Sequence, residues 1–171
     1  MQIQEAVELI VAAKPLLGEQ PVKWLELGAG SGTFTQALAR ILPAGSTIYA
    51  TDLRPQHLPS TDTVNIHSQR LDFLQDELSF SAIDGILMAN SLHYVQNKST
   101  FLRKLKPCLH SMGRLIVVEY NTESANHWVP YPISFPKLAV QAKTWGFTSV
   151  MKLGERTSVY QNGGMYAAHI S

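Results

Sequence analysis

Apolar positions change rhythm several times along the chain, and each rhythm predicts an element. Ala6, Leu9, Ile10, Ala13 and Leu16 or Leu17 recur at helical spacing until Gly18, so residues 1–18 are expected to carry an N-terminal helix. Val22 to Leu27 is a short apolar run that ends at glycines. Thr33 to Leu42 is periodic again, and Pro43-Ala44-Gly45 breaks it. Further strand candidates are Thr47 to Ala50, ending on Thr51-Asp52, and Val64 to Ser68, ending near Leu71-Asp72. Ile83 to Ala89, ending on Asn90, and Arg114 to Val118, ending on Glu119-Tyr120, complete the series. Helical stretches fit between these strands, Thr100 to Leu109 being the clearest.

Strands alternating with helical stretches predict parallel pairing through crossovers, an α/β sandwich. Ile86-Leu87-Met88 and Leu115-Ile116-Val117-Val118 are apolar without alternation, as strands covered on both faces should be. The tail differs. Pro130, Pro132 and Pro136 stiffen a loop, a helix is expected from Pro136 to Thr144, and Gly146 stops it. Thr148 to Leu153 and Met165 to Ile170 read as strands joined by a turn in Gln161-Asn162-Gly163-Gly164, so a mostly parallel seven-stranded sheet should end in an antiparallel hairpin strand.

Composition adds bounds. With 171 residues, 45% hydrophobic and 16% charged, the chain reads as a single globular domain. A formal net charge of +1 offers no field for DNA, and no window approaches the roughly 20 apolar residues of a membrane span. Cys108 is the one cysteine and reads as a small buried apolar residue. The first 17 residues lack a basic start followed by an apolar block, so a signal peptide is not expected and a reducing cytoplasm is the default compartment. Asn97-Lys98-Ser99 fits a glycosylation sequon but reads better as a helix cap.

The chemistry concentrates in Trp24-Leu25-Glu26-Leu27-Gly28-Ala29-Gly30-Ser31-Gly32. Glycines between a first parallel strand and a helix let the backbone turn sharply and approach a ligand without a Cβ in the way. The helix that follows points free N–H groups at the same place. A dinucleotide fingerprint would need glycine where this chain has Thr33. A pyrophosphate would also be repelled by Glu26, whereas a nucleoside carrying an ammonium or sulfonium centre would not.

This pattern resembles the first motif of the class I, Rossmann-like S-adenosylmethionine-dependent methyltransferases, and the likeness covers residues 22–120. It implies a cofactor-binding half over 22–120 and a substrate-side loop, helix and hairpin over 121–171. In that family an acid ending the second strand grips the ribose hydroxyls, a place held here by Asp52 with Leu53 beside it. An aspartate past the third strand accepts from the adenine amino group. Asp72 matches it, with Phe73 flanking the base, and Asp72 also suits a helix cap with Gln75. Asp84-Gly85-Ile86-Leu87-Met88-Ala89-Asn90-Ser91-Leu92-His93 is similar to the segment closing over the ribose and methionine moiety, which would set Asn90 and His93 at the pocket mouth. Ser111-Met112-Gly113 stands where the family commonly turns on Pro-Gly-Gly.

The resemblance implies S-adenosylmethionine as cofactor and in-line methyl transfer, with Glu26, Gly28, Ala29, Gly30, Gly32, Asp52, Leu53, Asp72, Phe73 and Asn90 as cofactor-binding residues. His93 is the candidate base, with packing beside the cofactor or a backbone hydrogen bond as its alternative role. Tyr94 reads as a packing aromatic, and Glu119 through Tyr131 as a substrate wall or a proline-stiffened surface loop. His110 and His127 are too isolated to suggest a metal site. A small-molecule acceptor is expected, because Asn90-Ser91-Leu92-His93 lacks the two prolines of the Asn-Pro-Pro-Tyr type motif and the lysines form no dense basic face. A protein or RNA acceptor delivered with a partner subunit, a homodimer, a silent cofactor-binding module and a nicotinamide-dependent oxidoreductase stay open as alternatives.

Overall fold

The structure is a computed structural model that describes residues 1–157 and 164–171. Seven strands, β1 (Lys23–Leu27), β2 (Thr47–Asp52), β3 (Asn65–Arg70), β4 (Ile83–Ala89), β5 (Leu109–Tyr120), β6 (Val150–Arg156) and β7 (Met165–Ile170), form one sheet in the order β3-β2-β1-β4-β5-β7-β6. β1 to β5 pair in parallel, and β7 runs antiparallel to both β5 and β6. The mixed sheet matches the sequence expectation. The central Asn-Gly of the expected turn lies outside the described residues.

Helices α1 (Ile3–Ile10) and α2 (Thr33–Ala39) cover one face, and α3 (Lys98–Leu105) and α4 (Phe135–Thr144) the other. Strand periodicity divides the core accordingly. Trp24, Leu87, Ile116 and Ala167 join Leu9 and Leu38 on the first side, while Leu25, Ile86, Leu115 and Tyr166 join Leu102 and Leu138 on the second. Gly85 has a packing reason, since a Cβ there would collide with the Trp24 ring on the neighbouring strand.

Three expectations are corrected. The crossovers from β2 to β3 and from β3 to β4 carry no helix; Pro55 and Pro59 interrupt the first of them. The α3 helix stops at Leu105, and a 3-10 turn over Lys106–Cys108 containing Pro107 replaces its expected last turn. Ser111-Met112-Gly113 forms no turn before β5. The strand already begins at Leu109, and the surplus residues are absorbed as a bulge between the pairs Ile83↔Leu109 and Gly85↔Arg114. Asn97 does cap α3, its Oδ1 accepting from the Thr100 N–H at 3.0 Å.

The order matters for function. After β1 the chain runs outward through β2 and β3, then returns to place β4 on the other side of β1. A crevice opens at the carboxyl ends of strands where the winding reverses.

Candidate cofactor cleft and its neighbouring dyad

A cavity of about 500 Å³ lies at that switch point. Among the residues expected to bind a cofactor, Gly28, Gly30, Asp52, Leu53, Asp72, Phe73 and Asn90 line it. Leu74, Ser91 and Tyr94 also line it, of which the sequence marked Tyr94 only as a packing aromatic and Ser91 only as part of the segment after β4. Glu26, Ala29, Gly32 and His93 are not on its wall.

The glycine turn is built from backbone bonds. The N–H groups of Gly28 and Ala29 both donate to the Thr51 carbonyl at 2.9 Å, which ties the turn to the end of β2. Gly28 has a φ of +85°, and a Cβ there would stand 2.7 Å from Ser91 Cβ. Gly30 has a φ of +53°, and a Cβ there would meet nothing within 4 Å. The backbone at Gly30 therefore faces open space that a side chain would fill. Gly32 caps α2, and Ala29 accepts from its N–H at 2.9 Å.

Asp52 binds the turn from the next strand. Its Oδ2 accepts from Gly30 N–H and its Oδ1 from Arg54 N–H, each at 2.9 Å. Each carboxylate oxygen retains capacity for a further donor. Asp72 is a turn residue instead of a helix cap. Its Oδ1 accepts from the Leu74 and Gln75 N–H groups at 3.0 and 3.3 Å, and the reciprocal bond to its own N–H comes from Asp76 at 2.8 Å, not from Gln75.

Two acceptors at this end of the sheet are buried without a hydrogen-bond partner among the described residues, Glu26 Oε1 and Asn90 Oδ1. Glu26 lies under the first turn of α2, 1% exposed, and Thr35 Oγ1 donates to its Oε2 at 2.5 Å. Burial, reinforced by the Asp52 charge and opposed by the Thr35 bond, raises its pKa to about 7. Asn90 adopts a φ of +52°, a left-handed conformation that asparagine tolerates better than most residues.

These features test the fit of the implied cofactor. Orphaned acceptors want N–H donors, and the cavity wall holds Asp52 and Asp72 with no lysine or arginine. A positively charged, donor-rich nucleoside fits this surface, and a diphosphate does not.

His93 lies beneath the wall, 2% exposed, while the adjacent Tyr94 faces the cavity and is 47% exposed. Both oxygens of the buried Glu119 are committed to His93. Oε1 accepts from its backbone N–H at 3.0 Å, and Oε2 lies 2.7 Å from Nδ1. The β4–β5 register makes this pairing, because Ala89 lies opposite Val118 and Asn90 N–H donates to the Val118 carbonyl. Tyr131 is tied to the same segment through its N–H, which donates to the His93 carbonyl at 3.0 Å. Trp128, in the expected substrate wall, is 75% exposed. Among the described residues no group of three His, Cys, Asp or Glu is arranged to hold a metal, and no helix is long and apolar enough to cross a membrane.

Comparison with known proteins agrees with this geometry. A sequence model described as a methyltransferase domain matches residues 25–115. No curated protein matches the chain by sequence. Among solved structures, a SAM-dependent methyltransferase from Aquifex aeolicus superposes with a TM-score of 0.63 at 15% identity, over 99% of this chain and 98% of that one. The CurJ carbon methyltransferase gives 0.67 at 20% identity, covering 92% and 50%. Human N-acetylserotonin methyltransferase, in complex with SAM, gives 0.69 at 16% identity, covering 97% and 51%. The chain thus spans about half the length of the latter two proteins. With more than half of its residues under the domain model and the site at the expected switch point, the chain belongs to the class I, Rossmann-like S-adenosylmethionine-dependent methyltransferase family.

Proposed function

We propose that the protein transfers a methyl group from S-adenosylmethionine to a small-molecule acceptor, with His93 as the base. Bound in the cleft, the cofactor supplies a methyl group on a cationic sulfur. Asp52 would accept from the ribose hydroxyls and Asp72 from the adenine amine, with Phe73 and Leu53 beside the base. Asn90 supplies an acceptor at the wall for the ammonium end, with the Glu26 carboxyl as a charge beneath it. Gly28 and Gly30 keep the turn open to the ligand, with Ala29 between them and Gly32 leading into α2.

The Glu119–His93 dyad carries the catalytic part of the reading. A carboxylate only accepts, so Nδ1 carries the hydrogen in the 2.7 Å contact and Nε2 of the neutral ring holds the lone pair. The acceptor's proton would pass to Nε2 as its nucleophilic atom bonds the methyl carbon and the carbon–sulfur bond breaks. Orientation in such a site is worth on the order of 7–11 kcal/mol, and a positioned base adds roughly 10²–10⁴-fold. Of the two larger structural neighbours named above, one is named for a small acceptor, N-acetylserotonin, which supports a small acceptor here.

The test is transfer of labelled methyl across a panel of phenols, amines, thiols and acidic carbon acids. For an acceptor that turns over, His93→Ala should cut the single-turnover rate by about 10²–10⁴-fold with donor affinity kept. Glu119→Gln should produce a smaller loss of the same kind. An unchanged rate in His93→Ala removes the base.

A further inference from the structure

The cleft is the first of three adjoining hollows. It shares Leu74 and Tyr94 with a neighbour of about 430 Å³. That hollow in turn shares Gln96, Asn97 and Tyr131 with a third, of about 710 Å³, between α3 and α4. The electrostatic sign changes along this path. The cleft wall has two aspartates and no cation. The two outer hollows are lined by Lys104, Lys98 and Lys137 and by amides such as Gln96 and Gln141, with no aspartate or glutamate in either wall.

Lys98 is the unusual residue in this groove. It is 8% exposed, and its Nζ donates to the carbonyls of Val95 at 2.8 Å and Tyr131 at 2.6 Å. No carboxylate lies within ion-pair distance of it among the described residues. A buried ammonium held by two carbonyls, with the Tyr131 ring 6.0 Å from it and no ion pair, is an uncommon arrangement, since buried charges are normally paired. Burial, aided by Lys137, lowers its pKa to about 8, and Glu119 opposes the shift without touching it. The other charges nearby are already engaged. Lys137 lies 3.6 Å from the exposed Glu123 carboxylate, Lys104 donates to the Asp76 carbonyl, and Arg70 pairs with the Asp76 carboxylate.

We propose that the cavity beside Lys98 is the anion-binding end of the acceptor site, taking a carboxylate or phosphate borne by an elongated acceptor away from the methylated atom. This rests on the methyl-transfer reading, which it deepens. The anion completes the charge of Lys98 in a site that water would otherwise serve, with Lys137 at the rim. Tyr131 joins the two ends, since its carbonyl accepts from Lys98 while its N–H donates to the His93 carbonyl.

The experiment uses the full chain, labelled with ¹⁵N and saturated with S-adenosylhomocysteine. It is titrated with benzoate, phenyl phosphate and neutral benzamide while the amide resonances are followed. Both anions should shift Gln96, Ser99, Tyr131 and Gln141 saturably, and benzamide should not. Lys98→Met should weaken anion binding by about tenfold or more, and Lys137→Gln by a few fold. Affinity should fall as pH rises through about 8, where Lys98 loses its proton. If Lys98→Met does not fold, the pH series and Lys137→Gln decide. Equal binding of benzamide, no shift with either anion, or shifts scattered over other surface lysines overturns the proposal. Failure of S-adenosylhomocysteine to bind in the same samples would defeat the methyl-transfer reading, and the anion shifts are scored independently of it.

Discussion

The proposed donor end and the proposed acceptor end of this molecule are built in opposite ways. The donor end is acidic and made largely of main chain: a glycine turn, a carboxylate from the next strand holding Gly30 N–H, and two acceptors left unpaired. The acceptor end is cationic and made of side chains that meet across long stretches of sequence. Glu119 reaches His93 over 26 positions and Lys98 reaches the Tyr131 carbonyl over 33. A ligand whose chemistry never varies can be held by backbone geometry. One that differs between relatives calls for replaceable side chains on a common sheet.

The strongest way to break this contrast is Gly30→Val. The backbone at +53° disfavours a β-branched residue, and the added methyls would occupy the open space next to Asp52. Donor affinity should drop by on the order of 100-fold or more, while circular dichroism and acceptor-side anion binding persist. Loss of both ends together would show that the two regions are not separable. Asp52→Ala should be milder, about 1–3 kcal/mol in donor affinity by calorimetry, because one charge-assisted pair is lost and the turn stays tied to Thr51.

Glu26→Gln sharpens the comparison through opposite signs. A carboxyl with a pKa of about 7 in the fold, against an ordinary 4.5, draws stability from the fold as pH rises from about 4.5 to about 7. Removing the charge should raise the unbound protein's stability at pH 8 by about 1–3 kcal/mol in thermal melts, with little change at pH 4. The same change should weaken donor binding. A variant less stable at pH 8 would mean that Glu26 serves the fold and not the ligand.

The same division explains what the sequence could reveal. Strand positions, sheet class and the glycine turn were legible because each depends on local periodicity or on main-chain freedom within a few residues. The two helix-free crossovers were not, since packing at the sheet edge decides them. The bulge at His110–Gly113 was hidden because only the fixed β4 partner shows that residues are in surplus. Glu119 was visible only as part of a loop; its grip on His93 arises from the β4–β5 register. Lys98 entered only as the middle residue of the Asn97-Lys98-Ser99 helix cap, and nothing local foretells a lysine folded under Tyr131.

Calorimetric titration of the full chain with S-adenosylhomocysteine, run beside NAD, tests the central claim most directly. One saturable site for S-adenosylhomocysteine, weakened in Asp52→Ala, with no heat from NAD, is the expected result. Binding of NAD with none of S-adenosylhomocysteine would contradict it.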